Sequence, residues 1–278
     1  MGKNIIAFQG KPGAYSDLSC HAVYPTWKTL PCDSFEEAFA AVREGKADLF
    51  MMPVENSTAG RVADIHHLLP HSGLHIIGEH YQPVEHHLLG HKGTKLSDIT
   101  IAHSHVQALM QCRNFLNKHN IAPITKSDTA GAAAELASLP DKTIAAIASK
   151  LAGEIYGLES LAGNIADQQG NTTRFLIMAR EAEMPATNAP SITSFVFRLR
   201  SVPAALYKAL GGFASNGVNI TKLESYMVDN KFTAAQFYAD IEGHREDENV
   251  KRAFEELGFF AQEIKVLGVY PAHAFRKN

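Results

Sequence analysis

The stretch Asn171-Thr172-Thr173-Arg174-Phe175 contains the residue types that anion binding and acid catalysis require. The planar guanidinium of Arg174 offers paired N–H donors that match a carboxylate or a phosphate. The hydroxyl of Thr173 donates and accepts hydrogen bonds, so it suits contact with a reacting oxygen. The apolar run at 175–178 is typical of a buried strand. The pattern predicts a polar loop that feeds a strand at the edge of a cleft, although an ordinary loop before a strand has the same composition.

A glycine-rich turn, Gly10–Ser16, follows a predicted strand at 4–9 and precedes a helix. Such a turn exposes backbone donors to an anion. The spacing of a phosphate-binding P-loop is absent, and a plain strand–helix turn explains the glycines more simply. The turn alone therefore does not identify a ligand site.

Two other polar clusters follow predicted strands. After strand 48–54, helix capping explains one hydroxyl of the cluster at 55–61 but leaves Glu55 and Asn56 without a structural reason. After strand 99–102, Ser104 is predicted to cap a helix on which two glutamines share one face. That helix start is a reasonable wall for an anionic ligand, although capping alone would explain the serine.

Strands and helices alternate between residues 4 and 180, which predicts an α/β fold with a largely parallel sheet. Ligands of such sheets bind beyond the carboxyl ends of the strands, and all four polar clusters lie at or beside such ends. The other predicted elements of this region are strands 74–77, 121–125 and 143–148, and helices after Ser34, from Val62, at 129–139 after Asp128 and at 150–156 before Gly157.

Residues 181–191 contain two prolines among small and acidic residues and are predicted to form a linker. The order beyond the linker is βαββαβ, the ferredoxin-like order. It contains no cluster of catalytic type, so a regulatory or assembly role is favoured. Its predicted elements are strand 192–199, helix 204–215, strand 218–227, a turn at 229–230, strand 232–241, helix 247–257 and strand 261–269.

The composition limits the class of protein. A chain of 278 residues predicts about two domains, and a net charge of −3 argues against nucleic acid or an anionic membrane as the main partner. The first residues do not resemble a signal peptide, and no apolar run approaches membrane-spanning length. Three cysteines without metal-type spacing fit reduced thiols in a cytoplasm. Eleven of the 14 histidines lie between His66 and His119, but their spacing is not that of a zinc site, so no metal is expected.

Five motifs occur in one order along the chain, and together they resemble the prephenate dehydratase family followed by an ACT domain, the amino-acid-sensing module. The resemblance covers nearly the whole chain. No segment similar to chorismate mutase precedes it, so the monofunctional type is expected. The motifs are Gly10-x-x-Gly13-Ala14-Tyr15-Ser16, Pro53-Val54-Glu55-Asn56-Ser57, Ser104-His105-x-Gln107-Ala108, Asp128-Thr129-Ala130-x-Ala132-Ala133 and Asn171-x-Thr173-Arg174-Phe175.

The resemblance implies a catalytic domain at 1–182 with two lobes similar to type II periplasmic binding proteins, and an ACT domain at 191–272. Lobe 1 would comprise about 1–76 and 165–182, lobe 2 about 77–164, and the active site would lie between them. The implied reaction is the decarboxylating dehydration of prephenate to phenylpyruvate, a carbon–oxygen lyase reaction of L-phenylalanine biosynthesis that needs no cofactor.

The resemblance also implies roles for individual residues. Thr173 would assist the departing hydroxyl and Arg174 would clamp a carboxylate. The catalytic set would be completed by Glu55, Asn56, Ser104 and Gln111. The substrate-binding residues would be Tyr15, Ser16, Ser57, Gln107, Thr172 and Phe175.

In the ACT domain, the resemblance implies binding of L-phenylalanine as a feedback inhibitor between two subunits of a homodimer or homotetramer. Two departures bear on this pocket: Ala204 stands where the family has glycine, and Tyr226 where it has arginine. The implied effector residues are Pro203, Ala204, Ala205, Leu206, Asn219, Ile220, Thr221, Leu223, Glu224 and Ser225.

Two alternatives stay open at this point. An arogenate dehydratase would share the fold and the chemistry, with an amino group in place of the side-chain ketone of the substrate. A non-catalytic sensor would bind a small acid in the cleft and an amino acid in the ACT domain. The Thr-Arg-Phe cluster speaks against the sensor, because binding alone does not require Thr173.

Overall fold

The computed structural model describes residues 3–62, 65–200, 202–227 and 235–277. The chain forms two compact units. The first contains Met1–Val62 and His80–Phe175, and the second contains Ala63–Glu79 and Leu176–Asn278. The predicted domain and lobe limits follow the family rather than these units and stay predictions.

The described residues form fifteen strands and nine α-helices. The strands are β1 (Ile5–Gln9), β2 (Lys28–Cys32), β3 (Leu49–Asn56), β4 (Gly60–Arg61), β5 (His75–Pro83), β6 (His87–Gly90), β7 (Ile101–His105), β8 (Ala122–Lys126), β9 (Ile144–Ala148), β10 (Glu159–Ala162), β11 (Thr172–Ala179), β12 (Ser191–Leu199), β13 (Ile220–Met227), β14 (Ala235–Glu242) and β15 (Ala261–Pro271). The helices are α1 (Tyr15–Val23), α2 (Phe35–Arg43), α3 (Ile65–Leu68), α4 (Val106–Gln111), α5 (Arg113–Lys118), α6 (Thr129–Ser138), α7 (Lys150–Tyr156), α8 (Ala205–Ser215) and α9 (Glu248–Gly258).

The first sheet has the strand order β2-β1-β3-β11-β5 and carries β4 on β3. Strand β1 pairs in parallel with β2 and with β3. The centre of this sheet consists of fully buried apolar residues, such as Phe8 on β1 and Phe50 on β3. β3 extends two residues beyond the predicted strand, so Glu55 and Asn56 lie within it and not behind it. Their positions are therefore fixed by strand pairing.

The second sheet has the order β10-β6-β9-β7-β8. β7 pairs in parallel with β8 and β9, whereas β6 pairs antiparallel with β9 and β10. The α/β class is thus confirmed, but the sheets are mixed and the expectation of a largely parallel sheet was too simple. The sequence did not predict four strands: β2 contains Pro31, β4 has only two residues, and β6 and β10 have only four residues each.

Most predicted helix ends are confirmed by their capping bonds. Asp128 Oδ1 accepts from Gly131 N at 2.5 Å, and Ser149 Oγ accepts from Ala152 N at 3.0 Å. Gly157 ends α7 in the left-handed conformation at φ 71°. The predicted cap at Ser104 is wrong: β7 continues to His105, and the His105 side chain caps α4 instead.

The second unit contains the predicted βαββαβ order, β12-α8-β13-β14-α9-β15. Its sheet is antiparallel in the order β13-β14-β12-β15, and α8 and α9 supply buried residues to its core, among them Phe213 and Leu257. The turn predicted at 229–230 lies outside the described residues. The order and pairing are those of a ferredoxin-like fold.

Three general features complete the description. The three cysteines are free and buried. No helix of the described ranges is long and apolar enough to cross a membrane. Within the same ranges, no group of three or more His, Cys, Asp or Glu side chains is placed to hold a metal ion.

Candidate active site

Neighbouring strands β3 and β11 bring Asn56 and Thr173 together. Asn56 Nδ2 donates to Thr173 Oγ1 at 2.9 Å. The other end of the Asn56 amide is fixed by the backbone, since Oδ1 accepts from Thr58 N at 3.0 Å and from Ala59 N at 2.8 Å. The amide nitrogen must therefore face Thr173, whose oxygen accepts.

The Thr173 hydroxyl keeps its own proton available. In the part of the chain that the structure describes, Thr173 Oγ1 accepts from Asn56 but has no acceptor for its proton. Thr173 is half-buried and lines a cavity of about 260 Å³. Hydrogen bonds in series polarise one another, so the donation from Asn56 strengthens the hydroxyl as a donor. The hydroxyl is placed to protonate or hydrogen-bond an oxygen inside this cavity.

The cavity that contains Thr173 also includes the start of α1. Tyr15, Ser16 and Phe175, all predicted to contact substrate, line it. The remaining lining residues are Gln9, Gly10, Lys11, Ala14, Asp33, Pro53, Asp128 and Thr129. The four motifs that contain Gly10, Pro53, Asp128 and Thr173 thus meet at one cavity.

Two features of this cavity favour an anion. Ala14 caps α1 without a side-chain bond, so the first-turn N–H groups of Tyr15 and Ser16 have no partner within the helix. Lys11 lies on the same wall with its ammonium 2.8 Å from Asp33 Oδ1. The hydrogen bond and the charge of Asp33 raise the pKa of Lys11, so the ammonium stays positive. A carboxylate in the cavity would meet the N–H groups of α1 and an ammonium that shares its charge with Asp33.

Arg174 does not line the cavity of Thr173. Successive side chains of a strand point to opposite faces, and Arg174 lies on the other face of β11 from Thr173. It is 3% exposed, and its Nη1 donates to Glu55 Oε1 on β3 at 3.0 Å. The pair ties β3 to β11, so the geometry favours a role in holding the two strands in place. The predicted carboxylate clamp stays a prediction.

A polar network extends from Asn56 away from Thr173. Asn56 Nδ2 also donates to Asn171 Oδ1 at 2.7 Å, and Asn171 Nδ2 donates to Gln111 Oε1 at 3.1 Å. Gln111 Nε2 donates to Thr58 Oγ1 at 3.2 Å. The predicted site residue Gln111 is therefore connected to Thr173 through Asn171 and Asn56.

The other predicted site residues have different surroundings. Ser104 is fully buried and its hydroxyl donates to Ile147 O at 2.6 Å, so it does not reach the cavity. Ser57 Oγ accepts from Thr172 N at 3.0 Å, a bond that joins β11 to the loop after β3. Gln107 and Gln111 line a second cavity of about 460 Å³. That cavity is further lined by Thr58, Ala59, Met110, Ala166, Asp167, Gln168 and Asn171.

Three residues of the site were not predicted individually. Lys11 and Thr58 belong to predicted clusters, but nothing in their spacing distinguishes them. His86 lies in the histidine-rich segment, where the spacing gave it no role, yet it is 3% exposed, with Nε2 2.8 Å from Gln111 Oε1. No local pattern could have revealed this contact, because the two residues are 25 positions apart.

The residues predicted to bind an effector lie at the start of α8 and along β13. Ala204 precedes α8 at φ 59°, a left-handed conformation that favours glycine. Leu223 is exposed on β13, which is an edge strand of its sheet. Tyr226 is 8% exposed and its ring packs against His67 at 5.4 Å, so it does not fill an exposed position for the missing arginine. The remaining effector residues, Pro203, Ala205, Leu206, Asn219, Ile220, Thr221, Glu224 and Ser225, belong to the same two segments.

The geometry defines an α/β fold in which a hydroxyl donor lies beside a helix start whose N–H groups favour an anion. The family model described as Prephenate dehydratase matches residues 6–183. A bifunctional N-acyl-homoserine lactone acylase/prephenate dehydratase of Komagataeibacter europaeus is 50% identical, over 100% of this chain and 99% of that one. The chloroplastic arogenate dehydratase/prephenate dehydratase 1 of Arabidopsis thaliana is 42% identical, over 98% of this chain and 73% of that one.

A solved structure is also similar. Prephenate dehydratase from Arthrobacter aurescens, in complex with L-Phe, superposes with a TM-score of 0.87 at 31% identity, covering 96% of this chain and 90% of that one. The chain therefore belongs to the prephenate dehydratase family, and it is an enzyme of that family. The function predicted from the five motifs is confirmed at this level.

Proposed function

We propose that the enzyme converts prephenate to phenylpyruvate, carbon dioxide and water in the cavity that contains Thr173. One observation carries the proposal. The Thr173 hydroxyl accepts a hydrogen bond from Asn56 and keeps its proton for an oxygen in a cavity that also offers the start of α1. That is the arrangement needed to assist a departing hydroxyl next to a bound carboxylate.

The reaction needs one proton at the departing oxygen. The electrons of the bond between the ring and its carboxylate move into the ring, and carbon dioxide is released. The carbon–hydroxyl bond breaks on the opposite side of the ring, and Thr173 supplies a proton so that water leaves. The oxygen of Thr173, stabilised by the N–H of Asn56 at 2.9 Å, regains a proton from water. Such general acid catalysis contributes about 10²–10⁴-fold.

Substrate binding would use the anion-favouring wall of the same cavity. Prephenate carries two carboxylates, for which the first-turn N–H groups of α1 and the Lys11 ammonium are suitable partners. Pro53 and Phe175 supply apolar surface to the ring. The direct test is to mix purified enzyme with prephenate and follow phenylpyruvate by its absorbance. A binding-only protein would give no product.

One measurement decides whether the enzyme prefers prephenate or arogenate. The Arabidopsis relative is named for both activities. The motifs left this preference open, and we propose prephenate as the preferred substrate. The two substrates should be compared by kcat/KM under one set of conditions. A higher value for arogenate would overturn the preference while leaving the mechanism intact.

The βαββαβ region is proposed to be an ACT domain that binds L-phenylalanine as a feedback inhibitor. The Arthrobacter relative was solved with L-Phe. Here, exposed Leu223 on the edge strand β13 and the start of α8 offer apolar surface and backbone donors. A second copy of the chain would complete the pocket, which fits a homodimer or homotetramer. Calorimetry with L-phenylalanine and light scattering on the full chain test both parts. No heat at millimolar ligand would exclude the effector site.

A second candidate activity follows from the Komagataeibacter relative, whose name includes an acylase. Acyl transfer to a serine requires a hydroxyl next to a base. Ser160 Oγ on β10 lies 2.8 Å from His87 Nδ1 on β6, and burial lowers the pKa of His87, which keeps it neutral. Ser160 Oγ would attack the acyl carbon as His87 takes its proton, the amide C–N bond would break as His87 returns the proton to the departing nitrogen, and water would then hydrolyse the acyl–serine ester. Ser160→Ala should abolish acyl-homoserine lactone hydrolysis and leave dehydration intact. Absence of hydrolysis in the unmodified enzyme would support the monofunctional type.

A further inference from the structure

His86 makes two hydrogen bonds from a buried position between the start of α1 and α4. Its Nε2 lies 2.8 Å from Gln111 Oε1, and its Nδ1 lies 3.0 Å from the Tyr15 hydroxyl. Burial is the main cause that lowers the pKa of His86. The ring is therefore neutral near pH 7, with one N–H and one lone pair.

The direction of the amides decides which nitrogen carries the proton. Gln111 Oε1 accepts from Asn171 Nδ2, and Gln111 Nε2 donates to Thr58. Because Oε1 can only accept, His86 must present N–H from Nε2 to it. Nδ1 is then an acceptor 3.0 Å from the Tyr15 hydroxyl, whose single proton is shared between Nδ1 and Glu85 O, to which the hydroxyl donates at 2.7 Å.

The opposite tautomer would disturb the whole network. A lone pair on Nε2 would repel Gln111 Oε1, and the amide of Gln111 would have to turn over. Its NH₂ group would then face the NH₂ group of Asn171 at about the present 3.1 Å. Asn171 could not turn in response without facing Asn56 Nδ2 with its own NH₂ group. The proton on His86 Nε2 is therefore consistent with only one orientation of Gln111 and Asn171.

We propose that His86 is a positioning residue for the dehydration. Its Nε2–H fixes the orientation of the amides of Gln111 and Asn171. Asn171 in turn accepts from the Asn56 NH₂ group, the end of that amide that also donates to Thr173. Through Tyr15, the same ring is also tied to the start of α1, which lines the cavity. His86 thus holds two walls of the site in register without contacting substrate. The inference rests on the proposed role of Thr173.

The first test compares two substitutions at one position. His86→Leu removes both hydrogen bonds and should lower kcat about 10–100-fold with KM changed less than about threefold, because misplacement of a reacting group by about 1 Å costs up to about 10²-fold. His86→Gln places an amide N–H near the position of Nε2 and should retain kcat within about threefold. His119→Leu is the matched control, because that ring packs on Phe115 and is not part of this network.

A double-variant cycle separates positioning from a general structural effect. Because His86 acts through Gln111 as well as through Tyr15, His86→Leu should lower kcat by a smaller factor in the Gln111→Ala background than in the wild-type enzyme. If the leucine variant does not fold, His86→Asn, which is too short to reach Gln111, replaces it in both tests. Three results would each overturn the proposal. The first is a wild-type kcat in the folded leucine or asparagine variant, and the second is a loss of kcat in His86→Gln equal to that in His86→Leu. The third is a double variant whose loss of kcat equals the product of the two single losses. Normal kcat in Thr173→Ala would instead overturn the proposed function itself.

Discussion

Replacing Asn56 by Asp tests the contact on which the catalytic proposal depends. The change is isosteric and keeps an oxygen acceptor for the N–H groups of Thr58 and Ala59. It replaces the donor that faces Thr173 Oγ1 at 2.9 Å and Asn171 Oδ1 at 2.7 Å with a second acceptor. The Thr173 proton would then bond to the new carboxylate and no longer to the departing oxygen.

The expected loss follows from these contacts. Without the acid, kcat should fall by about 10²–10⁴-fold at pH 7.5. Two oxygens facing each other at a half-buried site should also lower the free energy of unfolding by about 1–3 kcal/mol. Asn171 cannot relieve the conflict by turning over, because its Nδ2 donates to Gln111.

The kcat of the Asn56→Asp variant should also depend on pH in a defined direction. Partial burial and the facing oxygen of Asn171 raise the pKa of the introduced carboxyl, whereas the N–H groups of Thr58 and Ala59 lower it, so the carboxyl is expected to titrate near its ordinary value of about 3.9. As pH falls towards that value, a growing fraction of the carboxyl gains a proton and again presents a donor. The ratio of variant to wild-type kcat should therefore rise as the pH is lowered.

The assay is a kcat profile between pH 5 and 8 for the variant and the wild-type enzyme. Asn117→Asp on the exposed surface of α5 is the control for the added charge and should leave kcat unchanged. A near wild-type kcat for Asn56→Asp at pH 7.5, or a ratio that does not change with pH, would refute the reasoning.

Three further predictions concern the frame of the site and the second unit. Arg174→Met should lower the free energy of unfolding by about 2 kcal/mol in denaturant titrations. This is less than the ~3–5 kcal/mol expected for breaking a fully buried pair, because Glu55 is one-third exposed. Adding Glu55→Gln should recover part of the loss, and unchanged stability would contradict the strand-holding role. Ala204→Gly should stabilise the protein by about 1 kcal/mol, since Ala204 is left-handed at φ 59°; a destabilisation would contradict that conformation. Activity should survive dialysis against a strong chelator, because the proposed elimination uses only side chains and backbone donors; loss that is restored by a divalent ion would contradict this expectation.

The sequence predicted the neighbourhood of the site better than its individual contacts. Clusters placed at strand ends did meet, since Tyr15, Ser16 and Thr173 line one cavity. The predicted cap at Ser104 was wrong because β7 runs three residues further than predicted, and the serine hydroxyl donates to Ile147 O. Arg174 was treated as a loop residue, but within a strand it must point away from its neighbour Thr173.

The limits of the sequence are clearest at His86. Its partners Tyr15 and Gln111 are 71 and 25 residues away, and its neighbour His87 has the same residue type but a different partner. Local periodicity does not encode such contacts. The βαββαβ order was predicted correctly because each of its elements has its own hydrophobic period and its own turn residues.

The most direct test of the account is the kinetics of Thr173→Ala beside Thr173→Ser, with prephenate as substrate. The account predicts that the alanine variant loses about 10²–10⁴-fold in kcat with little change in KM, because the hydroxyl acts mainly in the transition state. The serine variant, which keeps the hydroxyl, should retain most of kcat. A folded alanine variant with near wild-type kcat would contradict the central claim.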